Sequence, residues 1–98
     1  MKTITRPAPH ALSDGKELSF DTFVRALINT DSRFNSDGKG IRCAMRIELA
    51  MKDSSAETLQ LDDEDAKLLA DVAEAPTAGY PITPARFCLP FIDAIVKA

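Results

Sequence analysis

The chain has no tryptophan, one tyrosine, one histidine, two cysteines and four glycines among 98 residues. Each scarcity closes a route. One histidine and two separated cysteines fall short of the four ligands of a structural zinc site. No glycine-rich phosphate loop, nucleophile elbow or dinucleotide fingerprint occurs. His10 stands between Pro9 and Ala11 in an expected loop, with no nucleophile or orienting acid beside it, so general-base chemistry has no partners there. Cys43 and Cys88 each lie in an apolar run and read as buried, reduced thiols. No apolar stretch approaches the roughly 20 residues of a membrane span. Met1, Lys2, Thr3 and Ile4 are followed by Arg6, Pro7 and Pro9 and not by an apolar signal core, so a cytoplasmic location is expected. Neither catalysis nor a metal or cofactor is expected from these residues.

What is present is the composition of an ordinary globular domain: 45% apolar and 28% charged. Residues 1–98 read as a single domain, with 1–19 an extended entry and 20–98 a helical body. With aromatics scarce, the core rests on Leu, Ile, Val, Met and Ala. The net charge of −3 argues against a stand-alone nucleic-acid binder. Charge is unevenly placed, however: residues 25–52 balance at +3 and residues 53–74 at −7.

Along the chain, Lys2 to Thr5 and Lys16 to Phe20 have extended character, separated by Pro7, Pro9 and the turn-forming Ser13, Asp14 and Gly15; their pairing predicts a two-stranded ribbon. Phe20, Phe23, Val24, Leu27 and Ile28 recur at i, i+3, i+4, i+7 and i+8, the stripe of an amphipathic helix that Ser19 caps and that ends near Asp31. Asn35 to Gly40 reads as a loop. Aligned as a calcium loop it would place Arg33 first and Ala44 twelfth, which loses the essential carboxylates.

Residues 41–52 alternate apolar and polar as a strand would. Their Ala, Met, Leu, Arg, Glu and Lys content nevertheless favours a helix, apolar around more than half its circumference as a central helix should be. A connector is expected at residues 53–56 and a short extended approach at residues 58–61. Leu61 and Asp62 then open a helix with Ala66, Leu69, Val72 and Ala73 on one face. Asp62 serves as cap with Asp65 three residues on, Leu61 acts as a hydrophobic staple, and Pro76 and Gly79 close the helix. Thr83 and Pro84 start a last helix with Phe87, Phe91, Ile92, Ile95 and Val96 inside, and Pro90 should kink or split it. The fold class is therefore mainly α: about four short helices in a compact bundle with a minor N-terminal β-ribbon.

The candidate partner-binding residues are few. Asp62, Asp63, Glu64 and Asp65 offset the helix dipole, but four acids exceed what a cap needs, which leaves an acidic contact face open. Arg42 and Arg46 lie one helical turn apart, with Lys39 just before. They suit a phosphate or an acidic partner, or else pair internally with the acidic helix. Tyr80, in a proline-rich connector, is either an exposed aromatic anchor or a cover for the core edge.

The segments SDGKELSF, IRCAMRIELAMK, LQLDDEDAKLLADVAEA and the hydrophobic close after GYPITPAR together resemble small early or accessory proteins of tailed bacteriophages, across residues 12–98. That resemblance implies a role in the cytoplasm of an infected bacterium, inhibiting or redirecting a host enzyme or helping to assemble the particle. It supplies no catalytic residues. The expected function is a protein–protein interaction module acting by occlusion. The alternatives are a virion or assembly protein that forms a homo-oligomer through its last segment, and a weak nucleic-acid binder through Lys39, Arg42 and Arg46.

Overall fold

A computed structural model describes residues 1–12, 14–53 and 57–98. Four helices dominate: α1 (Phe20–Thr30), α2 (Gly38–Asp53), α3 (Asp63–Glu74) and α4 (Leu89–Val96). Four short strands accompany them: β1 (Lys2–Thr5), β2 (His10–Ala11), β3 (Glu17–Leu18) and β4 (Thr58–Leu61). The chain is mainly α with minor β, as its composition and periodicity predict.

The strand pairing departs from the expected ribbon. β1 pairs antiparallel with β4, placing Ile4 opposite Leu59, while β2 and β3 form their own two-residue hairpin. Pro7 and Pro9 explain the separation, since neither donates to a ladder and β1 stops at Thr5. Thr58, Leu59, Gln60 and Leu61 alternate out and in, so the residues expected to be a mere approach supply the buried Leu59 and Leu61 that Ile4 needs beside it. Gly15, at φ 84°, turns the small hairpin with help from Asp14, which accepts from the Lys16 amide. Ser13 and residues 54–56 of the expected turn and connector lie outside the described residues.

α1 forms as its stripe predicts. All five apolar positions are buried, and the Ser19 hydroxyl accepts from the Thr22 amide at 3.1 Å. Asp31 ends the helix, and its side chain then accepts from the Arg33 amide to start a 3-10 turn, Ser32–Phe34. The loop expected at residues 35–40 is shorter than that. Asp37 accepts from the Gly40 amide at 2.7 Å, so α2 begins at Gly38. Gly40 is required there: a Cβ would collide with the backbone carbonyl of Arg33.

α2 is a helix over the whole ambiguous segment. It buries Cys43, Ala44, Ile47 and Met51 and turns Ile41, Met45 and Leu49 outward. It therefore flanks the core and does not run through it, contrary to the expectation of a central helix. α3 packs most extensively on α4. Asp62 occupies the cap position without a side-chain cap bond, and Asp65 three residues on is engaged elsewhere, so the expected side-chain capping does not form. Leu61 is buried at the end of β4.

Pro90 splits the last segment as expected. A 3-10 turn, Ala85–Cys88, precedes α4, and Pro90 falls in the first turn of α4, where its missing N–H costs nothing. The expected start at Thr83 is corrected, because regular helix begins only at Leu89. Phe91 stacks on Phe23 at 5.5 Å between ring centroids and meets Phe20 at 6.3 Å, joining α4 to α1. No helix among the described residues is long and apolar enough to cross a membrane.

Candidate interaction surface

The helical period sorts α2 into bands. At about 100° per residue, Ile41, Met45 and Leu49 share one outward ridge roughly 12 Å long. Lys39, Arg42 and Arg46 follow at i, i+3 and i+7, forming a basic band beside that ridge. Beyond it the helix turns inward to Gly40 and Cys43. There a cleft of about 630 Å³ opens between α2 and α3, lined in part by Lys39, Cys43, Arg46, Glu64, Lys67 and Asp71.

The ridge is the unusual part. Ile41, Met45 and Leu49 are 45%, 61% and 57% exposed. Single exposed aliphatics are ordinary, but three aligned ones approach a contiguous apolar patch of a few hundred Å², the size at which patches begin to mark contact sites. A central helix would bury them. Two interleaved apolar sets occupy this helix, and only the second, Cys43, Ala44, Ile47 and Met51, faces inward.

Of the basic band, Arg46 is committed inward. Its Nε and Nη2 donate to the two carboxylate oxygens of Asp65, each at 2.8 Å. The Arg46 guanidinium holds the Asp65 carboxyl below its usual range against the opposing effect of burial, and the Cys43 thiol adds a hydrogen bond. Burial, followed by the neighbouring Asp65, pushes the Cys43 thiol up to about 12. It is therefore protonated at neutral pH and is no nucleophile. Lys39 and Arg42 are exposed and make no ion pair among the described residues.

The acidic set does not form one face. Asp65 points inward and is buried; Asp62, Asp63 and Glu64 are exposed. Asp63 pairs with the N-terminal ammonium of Met1 at 3.0 Å, which lowers its carboxyl, and Glu64 lines the cleft. Tyr80 is half-buried. Its ring lies parallel to Phe23, 6.3 Å away, and its hydroxyl donates to the Ala73 and Glu74 carbonyls at the end of α3. Of its two readings, the cover for the core edge fits this placement. His10 packs against Phe87 at 5.0 Å. The structure thus brings Arg46 and Asp65 together, leaves Arg42 beside the apolar ridge, and sets Tyr80 apart.

One buried acid escaped the sequence reading. Asp31 is fully buried and accepts from the Arg33 guanidinium at 3.0 and 3.1 Å, from the Arg33 amide at 2.9 Å and from the Thr77 amide at 2.8 Å. Burial alone would raise its carboxyl, but these donors outweigh it and hold the group at about 2. The arrangement ties the α1–α2 turn to the segment after α3.

No group of three or more metal-ligating side chains occurs among the described residues. No protein-family model, curated protein or solved structure matches the chain.

Proposed function

We propose that the protein is a small binding module that captures a protein partner on the outer face of α2. The observation that supports this is the ridge of Ile41, Met45 and Leu49, left in water beside the exposed cations Lys39 and Arg42, which make no ion pair among the described residues. Burying such a ridge favours association at about 25 cal/mol per Å² of apolar surface, before the costs of ordering are subtracted. The mechanism is occlusion: a helix side laid over a partner's working surface. The resemblance to phage accessory proteins makes a host enzyme the partner of first choice.

The rival readings draw less support. An assembly role through the last segment has only the exposed Leu89 to offer, since among the described residues there Phe91 and Ile95 are buried and Phe87, Ile92 and Val96 are half-buried within the fold itself. A phosphate-binding role needs Arg46, which is already occupied by Asp65.

The test is paired capture. The full chain and its Met45→Asp variant are immobilised and exposed to the same bacterial lysate, with thermal unfolding recorded for both. The expected result is a protein retained by the parent and lost from the equally stable variant. Identical retention by the two would remove the α2 face from the account.

A further inference from the structure

Resting on the reading of the outer face of α2 as the binding surface, we infer the chemistry of its partner: an amphipathic helix with carboxylates along one rim of its apolar face. Two observations specify it. The first is shape. A ridge at i, i+4 and i+8 is the unit that seats between the ridges of a facing helix, and it offers two turns of contact. The second is the asymmetry of charge around that ridge. On one side stand Lys39 and Arg42, exposed and without ion pairs among the described residues, with Arg46 behind them. The other side carries Glu48 and Lys52, which offset each other. A helix lying on the ridge therefore meets net positive charge along one flank only, and matches it with acids on that flank.

The same asymmetry argues against a lipid surface or a nucleic acid, both of which also suit a basic, apolar face. Across the cleft from the basic band, α3 carries Glu64 and Asp71, with Lys67 its one cation, and Asp62 and Asp63 lie at its start. An extended anionic surface pressed onto α2 would meet those carboxylates. A single helix is about 10 Å wide and can lie on the ridge without covering them. A second copy of this chain is also disfavoured. An antiparallel two-fold pairing of α2 sets like flanks against each other, Arg42 beside the basic band of its mate.

The experiment uses defined probes. Two labelled synthetic helical peptides of about 18 residues share a leucine seam at i, i+3, i+4 and i+7; one carries Glu along the rim that would face Lys39 and Arg42, the other Lys. Vesicles containing phosphatidylserine and a short DNA duplex complete the set. The full chain is expected to bind the Glu-rim peptide about tenfold more tightly than the Lys-rim peptide, the effect of turning two partly exposed attractions into repulsions. That preference should shrink as salt is raised, and the Lys39→Glu, Arg42→Glu double variant should reverse it.

Equal binding of both peptides, binding of neither, or tighter binding to the vesicles or the duplex would each overturn the inference. The outcome is separable from that of the capture experiment. If Met45→Asp loses its captured protein while the peptides show no rim preference, the surface stands and the partner's chemistry is wrong. If Met45→Asp loses nothing, the surface itself is wrong.

Discussion

Arg46 and Asp65 form a two-pronged pair, with both bonds at 2.8 Å, in which the acid is 4% exposed and the base 48%. The two partners are therefore not equivalent. Arg46→Ala strands a buried carboxylate whose one other side-chain partner among the described residues is the Cys43 thiol, a loss on the order of 2–3 kcal/mol for that desolvated acid. Asp65→Asn leaves an arginine that can swing into water, and should cost distinctly less. Chemical denaturation of both variants reads the order directly. Equal losses, or the reverse order, would contradict the placement of Asp65.

The same reasoning gives a pH dependence. Asp31 has a folded value of about 2 against an ordinary 3.8, and Asp65 is lowered in the same direction. A carboxyl depressed on folding stabilises above its unfolded value, and that contribution is lost as pH falls toward the folded one. For Asp31 the shift corresponds to about 2–3 kcal/mol, dropping away between roughly pH 5 and pH 2. Asp31→Asn should be weakened by a comparable amount at pH 7 and should converge on the parent near pH 2. Urea midpoints measured across this range would show it; parallel curves would assign the acid sensitivity elsewhere.

The sequence made some of this legible and hid the rest for definite reasons. α1 announces itself because one stripe, one cap and one stop agree. Asp65 could also have been sorted from its neighbours: it lies four residues before the buried Leu69 and seven before Val72, on the same inward stripe. The pairing of β1 with β4 could not be foreseen, since alternation tells which face is buried and not which strand lies alongside. The exposure of Met45 was equally hidden. A helix with apolar residues most of the way round does not declare which side the neighbouring elements will cover.

Two glycines in one helix turn should behave oppositely. At Gly40 a Cβ would strike the Arg33 carbonyl, a backbone atom held in the 3-10 turn by Asp31. At Gly38 the nearest atom is the Arg42 Nη1, 3.3 Å away at the end of a flexible side chain. Gly40→Ala should cost on the order of 1–3 kcal/mol through forced displacement. Gly38→Ala should be neutral, or gain up to about 1 kcal/mol from helix propensity. Thermal unfolding of the two single variants is enough. A harmless Gly40→Ala would mean that the turn and α2 are not in contact.

Met45 and Ile47 allow the sharpest comparison, because they stand two residues apart. In a strand they would share a face, and truncating either would carry a similar penalty. In α2 they lie on opposite sides, Met45 61% exposed and Ile47 wholly buried. Ile47→Ala should therefore cost about 2–5 kcal/mol through lost burial and an unfilled cavity. Met45→Ala should stay within about 0.5 kcal/mol of the parent, as changes away from buried features usually do. Partner capture should be affected in the other sense, weakened by Met45→Ala and unaltered by Ile47→Ala at temperatures where that variant is folded. Stability and binding would then be divided between two sides of one helix. If Met45→Ala destabilised the fold as much as Ile47→Ala, the outward ridge would be part of the core, and the binding surface drawn from it would not exist.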